Sequence, residues 1–274
     1  MDTANSYVKV RSAAGDPVQL SDLHPVACEH LARIGSANDG GYVVPLDAVK
    51  AAGALLSFGL SHDWTFERDF KARNPDAIIH CYDHTVDLRT AFEYSIGQLL
   101  RFVLQLRTPA LRKAFSWIDY IVFFRGDKIH FQQRIWCDNQ ANSATVQDAF
   151  GRLPADCPVF VKIDIEGGEY RILDDLLRYG RNIVAIAIEF HDVDILSDRF
   201  NSLVDKIKRD FYIVHLHANN MGGTAPLGFP IAPELTFLNK RFFSAPPPPS
   251  GSKYPSPGLD QPNNPRLPEF TFEF

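Results

Sequence analysis

The stretch Val159–Gly180, "VFVKIDIEGGEYRILDDLLRYG", changes its hydrophobic period partway through. Its first seven residues form an apolar run of strand length, broken by Lys162 and closed by Asp164 and Ile165. From Glu169 onward the apolar residues Ile172, Leu173, Leu176 and Leu177 recur at helical spacing, and Gly180 stands where a helix would stop. A buried strand that turns through two glycines into an amphipathic helix is the unit of an α/β fold with a largely parallel sheet. Three carboxylates, Asp164, Glu166 and Glu169, are crowded around that turn.

Working outward, the same pattern repeats. "ALLSFGL" (54–60) reads as a strand and "FERDFKARN" (66–74) as the helix after it; "AIIHCYD" (77–83) and "IVAIAIEF" (183–190) are further strands. Near-continuous apolar runs of this kind suit strands covered on both faces. "SDRFNSLVDKIKRD" (197–210) is helical. "FYIVHLH" (211–217) and "ELTFLNKRFF" (234–243) are closing strands, and the glycine-rich link between them fits an antiparallel pair. Residues 88–120 are amphipathic and helical in pattern. They read as an insertion that shapes a cleft or an oligomer face, or as a structural hairpin. Residues 1–32 precede the α/β domain, which covers 33–244. From Ala245 the chain is proline-rich, which excludes helix and central strand and favours an extended path. Such a segment is either disordered or a strap, with Tyr254, Leu259 and Phe270 as anchors.

Composition narrows the function. The 274 residues are 45% hydrophobic and 22% charged, ordinary for a globular protein, and the formal charge of −5 favours neither nucleic acid nor an acidic membrane. The N-terminus lacks a signal-peptide pattern, and the longest apolar segment, 99–124, is interrupted by charges and a proline, so no membrane span is expected. Cys28, Cys81, Cys137 and Cys157 are far apart and form no CxxC pair, which fits reduced thiols in the cytoplasm rather than a zinc site.

In an open parallel sheet, ligands bind beyond the carboxyl ends of the strands. Polar residues gather there: Gly59, Ser61, His62 and Asp63; Asp83 and His84; Asp164 and Glu166; Glu189 and His191; then His215, His217, Asn219 and Asn220. Gly59 permits a tight turn and close backbone approach. An acid at the end of the next strand, Asp83, can accept hydrogen bonds from ribose hydroxyls. Glycine turn plus distal acid fits a nucleoside-containing cofactor, without choosing between NAD and S-adenosylmethionine. Asp164, Glu189 and His191 are hard-oxygen and imidazole donors that could hold Mg²⁺ or Mn²⁺. His215 and His217 alternate along one strand and face the same side. Glu169 opens a helix, where its charge complements the dipole. "NDGGY" reads either as a simple turn or as a loop placing Asp39 over a ligand.

"VFVKIDIEGGEYRIL" is similar to the K-[IV]-D-[IV]-E-G-x-E segment of the FkbM-like methyltransferases, a branch of the class I S-adenosylmethionine enzymes. "RIGSANDGGYVVP" (33–45), "LLSFGLSHDWTFERDF" (55–70), "IIHCYDHT" (78–85), "VHLHANNMGG" (214–223) and "ELTFLNK" (234–240) resemble further segments of that family, so the likeness runs from Arg33 to Arg241. It implies a Rossmann-like class I methyltransferase fold, with a mostly parallel seven-stranded sheet and helices on both faces. It also implies O-methylation of a sugar or nucleotide-sugar hydroxyl, with S-adenosylmethionine as cofactor. In that reading Gly59, Ser61, Phe66, Glu67, Asp83, His84 and Asp164 bind the cofactor. His215, His191, Asp164 and Glu166 are the catalytic candidates, and Asp39, Tyr42, His217, Asn219 and Asn220 meet the acceptor. A metal-dependent hydrolase built on the Asp/Glu/His cluster is a rival reading, and a non-catalytic binding module on the same fold is another.

Overall fold

The structure, a computed structural model, describes residues 7–11, 16–87, 89–90, 92–93, 95–96, 116–224 and 228–274. Its centre is a seven-stranded sheet made of β4 (Ala54–Phe58), β5 (Ile78–Tyr82), β6 (Lys128–Phe131), β9 (Val159–Ile163), β10 (Ile183–Glu189), β11 (Phe211–Ala218) and β12 (Pro233–Asn239). The spatial order is β11-β12-β10-β9-β4-β5-β6. All pairings are parallel except those of β12, which runs antiparallel to β10 and to β11. This is the Rossmann-like α/β arrangement implied by the sequence, with the last strand inserted in reverse.

The central strands read as apolar runs because every residue of β4, β9, β10 and β12 is buried. One face is covered by α4 (Val146–Gly151), α5 (Glu169–Leu176) and α6 (Val193–Ile207), packed through Ile172, Leu173, Leu176, Phe200 and Leu203. The other face carries α1 (Leu46–Ala51) and α2 (Thr65–Arg73), through Val49, Phe66 and Phe70. A hairpin of β2 (Leu31–Gly35) and β3 (Gly41–Pro45) packs on the same face, so the expected "NDGGY" turn is the tip of a two-stranded ribbon. Two short strands, β7 (Arg134–Ile135) and β8 (Ser143–Ala144), pair beside the sheet.

Of the expected helical insertion, residues 97–115 lie outside the described residues, and α3 (Ser116–Phe123) is helical. β6 lacks a strong sequence signal because it is an edge strand with no fully buried residue. No helix among the described residues is long and apolar enough to cross a membrane.

The proline-rich segment is a strap. Val26 N donates to Ile213 O on the outer edge of β11, and Val26 bridges to Pro249, so that edge is not left open. Tyr254 and Phe270 are buried, as the anchors were expected to be, and Phe272 joins them, whereas Leu259 is only partly covered. The strap ends in β13 (Glu269–Phe272), which pairs in parallel with β1 (Tyr7–Val10).

Candidate active site

Strand order reverses between β4 and β9, and a cleft of about 740 Å³ opens there, beyond the carboxyl ends of β4, β5 and β9. Gly59 forms its floor. Its φ is +86°, and a Cβ there would lie 1.7 Å from the Asp164 carbonyl oxygen, so no other residue fits. Gly59 N donates to Tyr82 O and Asp164 N donates to Phe58 O, which ties the three strand ends together. Ser61, Phe66, His84 and Asp164 line the cleft, with His62, Thr85 and Trp136.

Asp83 also lines it, but its role differs from the expected one. Oδ2 accepts from Leu60 N and Ser61 N, and Oδ1 accepts from Thr85 N and Thr85 Oγ1. A carboxylate offers about four lone-pair sites. All are used inside the protein, so Asp83 builds the turn instead of standing free for ribose hydroxyls. Burial pushes its pKa up, yet those hydrogen bonds outweigh burial and hold it below the usual carboxylate value. Glu67 is corrected outright as a cofactor contact. It is 0% exposed and accepts from Ser57 Oγ beneath the cleft, because the helical spacing that turns Phe66 toward the cleft turns Glu67 into the core.

Lys162, which the sequence reading passed over, stands inside β9 with its Nζ donating to Gly59 O at 2.9 Å and 4.0 Å from Asp164 Oδ2. Burial alone would lower its pKa; Asp164 and Glu67 raise it above the ordinary value, so the ammonium persists. A lone lysine in the run "VFVKIDI" was the available signal, since a buried charge is seldom without partners.

At the Asp164 end the strand tips converge. Tyr42 Oη donates to Asp164 Oδ2 at 3.1 Å, which places the hairpin over the site. His191 Nε2 lies 3.8 Å from Asp164 Oδ1, 3.5 Å from Glu166 Oε2 and 3.6 Å from Glu189 Oε1. Its Nδ1 is 3.2 Å from Glu169 Oε1, which also accepts from His191 N. Glu169 is fully buried and its Oε2 accepts from Gly167 N, so it organises the turn and the imidazole as well as opening α5. Desolvation would lower the His191 pKa, but the Glu169 bond, with the charges of Asp164 and Glu166, raises it. Burial, then Asp164 and Glu234, push Glu189 well above the usual carboxylate value. Glu166 itself is at φ +52°, in the left-handed region, with its side chain 87% exposed at the rim.

Three expected site residues belong elsewhere, and a fourth, Asn219, only supports a site carboxylate. His215 is not in the cleft; its Nε2 meets Asp260 Oδ1 of the strap at 2.8 Å, beside the Tyr254 ring. His217 is enclosed between Glu234 (Nδ1 to Oε2, 3.0 Å) and Glu269 (Nε2 to Oε2, 3.6 Å). Asn220 donates to backbone oxygens of Asn264 and Pro268, and its own oxygen accepts from Asn264 N. Asn219 donates to Glu189 Oε1 at 3.0 Å and so positions that carboxylate. The alternation of His215 and His217 was read correctly as one face; the strap covers that face, and strap contacts 45 or more positions away leave no local signal. Asp39 remains near the site. It accepts from Asn263 Nδ2, which also donates to Glu234 Oε1, so the strap joins the hairpin tip to β12.

No protein-family model and no curated protein matches the chain. Solved structures that resemble it include the fibrillarin/Nop5p complex, at 11% identity over 76% of this chain and 91% of that one, with a TM-score of 0.37. A precorrin-6y C5,15-methyltransferase from Geobacter metallireducens is 11% identical over 71% of this chain and 86% of that one, TM-score 0.35. The mitomycin 7-O-methyltransferase MmcR is 10% identical over 71% and 53%, TM-score 0.30. With every TM-score below 0.5, the ground for the fold remains this chain's own strand order.

Proposed function

We propose that the chain is an S-adenosylmethionine-dependent methyltransferase acting on a hydroxyl of a sugar or sugar-containing metabolite. One observation carries the reading: the cleft at the switch point has a glycine floor pressed against Asp164, and its lining includes Ser61, His84 and Thr85 as well as the carboxylates of Asp164 and Glu166. S-adenosylmethionine supplies a methyl group on a cationic sulfur. Asp164 and Glu166 offer negative charge at that end, while Lys162 is held on the Gly59 carbonyl beneath the turn. Ser61, His84 and Thr85 at the rim meet the ribose, in place of the saturated Asp83 carboxylate.

The acceptor oxygen attacks the methyl carbon in line. The carbon–sulfur bond breaks with its electron pair staying on sulfur, and S-adenosylhomocysteine leaves. The hydroxyl proton passes to His191 Nε2 in the neutral imidazole, the tautomer whose Nδ1–H is engaged by Glu169; because the surrounding carboxylates raise the His191 pKa, activity should increase as pH rises through it. Sugar as the acceptor rests on the sequence resemblance.

Calorimetry with S-adenosylhomocysteine tests the cofactor. Saturable 1:1 binding is expected, and none at high protein concentration would refute the reading. A screen of sugars with labelled S-adenosylmethionine then tests the acceptor class. A metal-dependent hydrolase draws on the same Asp/Glu/His groups, and it predicts metal uptake without S-adenosylhomocysteine binding.

A further inference from the structure

We propose that Asp164, Glu166, Glu189 and His191 bind one divalent cation of the Mn²⁺/Mg²⁺ class, with Glu169 orienting the imidazole. Sequence spacing pointed to Asp164, Glu189 and His191; the fold adds Glu166 as a fourth donor and gives the buried Glu169 a function. Ligand atoms of Asp164, Glu166 and His191 all lie within 4.8 Å of one another. Around an ion with bonds of roughly 2.0–2.3 Å, adjacent donors stand about 3 Å apart. The 3.5–3.8 Å from His191 Nε2 to Asp164 and Glu166 therefore needs only small side-chain movements to close on an ion, while Glu189, 3.6 Å from Nε2 but outside that mutual group, has further to move.

Two features beyond the gathered charge point to a ligand. A histidine that binds metal through one ring nitrogen commonly donates the other N–H to a carboxylate, which fixes its tautomer and direction. Glu169 does this here from a fully buried position, and its grip on His191 N fixes the backbone too. Glu189, only 4% exposed, is aimed at the same nitrogen by Asn219, a costly placement for a carboxylate that makes no ion pair with a lysine or arginine among the described residues, although buried Lys162 is near enough to feel its charge. Three oxygen donors and one imidazole suit Mn²⁺ or Mg²⁺ better than a thiophilic ion, and leave positions for water or a hydroxyl oxygen. With the ion seated, His191 Nε2 would serve as a ligand in place of its role as proton acceptor, and the ion would supply Lewis acidity to a bound hydroxyl.

This inference stands apart from the methyl-transfer reading, since cation binding requires no cofactor. The experiment titrates MnCl2 into the chelator-treated full chain, following free Mn²⁺ by electron paramagnetic resonance, with calorimetry for MgCl2. One Mn²⁺ per chain is expected. His191→Ala and Asp164→Asn should each weaken uptake at least ~10-fold, the lower end of what disturbing a metal site produces. Glu166→Gln changes an 87%-exposed side chain, so it tests the site without touching the core, and it should weaken uptake as well. No uptake by the wild type at millimolar Mn²⁺, or unchanged affinity in folded Glu166→Gln and Asp164→Asn, would overturn the site. Mn²⁺ uptake without S-adenosylhomocysteine binding would sink the methyl-transfer reading and leave the cation site standing; the converse result would remove only the cation.

Discussion

At the scale of single residues, the candidate site depends on groups whose partners are already assigned. Gly59→Ala places a methyl group against the Asp164 carbonyl and forces a left-handed φ on a residue with a Cβ. Backbone strain of that kind costs about 1–3 kcal/mol, and the clash adds to it. Urea unfolding should show at least that loss, and S-adenosylhomocysteine binding should vanish with it. Asp83→Ala separates two roles. A free ribose acceptor would lose affinity at unchanged stability, whereas a turn builder leaves Leu60 N and Ser61 N without a partner, at about 1–3 kcal/mol for each buried group. A drop in both melting temperature and affinity is expected; lost affinity alone would restore the ribose role. The sequence made Gly59, Asp164, Glu189 and His191 legible, because strand-end polarity is local. It misplaced Glu67 by one helical step, and it missed Glu234, Asn263 and Asp260, whose meaning lies in partners far along the chain.

At the scale of elements, strands covered on both faces announced themselves as apolar runs, and the antiparallel closing pair was readable from its glycine-rich link. β6 was not, since an edge strand needs no continuous apolar run. The strap was half legible. Proline density says that a segment is extended, and only tertiary pairing says where it lies. Ending the chain at Ser244 removes Tyr254, Phe270 and Phe272 from the core. At about 1.5–3 kcal/mol per buried large side chain, roughly 5 kcal/mol or more of stability should go. A truncated chain that unfolds at the wild-type urea concentration would mean that the strap is dispensable.

At the scale of the whole molecule, stability against pH should have two limbs, the acid one from strap docking and the alkaline one from the pairing of β11 with β12, to which the strap adds Glu269. Asp260 is buried, which raises its pKa, but the His215 charge and hydrogen bond pull it below the usual value. Its contribution is present above the ordinary carboxylate range and is lost as pH falls through its folded pKa. His217 is lowered by burial but raised well above its usual value by Glu234 and Glu269. Its contribution is present below about pH 6.5 and is lost as pH rises through the folded pKa. The groups facing this pair are Glu234 on β12, Asp260 and Glu269 on the strap, and Asp39 through Asn263. Melting temperature should therefore plateau between the limbs. Asp260→Asn should flatten the acid limb and His217→Gln the alkaline one; unaltered profiles would put the pH dependence elsewhere.

The pairing of β1 with β13 also fixes an order of events during synthesis. Arg11 and Glu273, 262 positions apart, are bonded beside that ribbon. All seven central strands have been translated once Asn239 is made, before any of the strap exists. On the ribosome the cleft floor can therefore form while the bridge from Asn263 to Asp39 and Glu234 is still unwritten, and β1 must wait until β13 is made to find its neighbour.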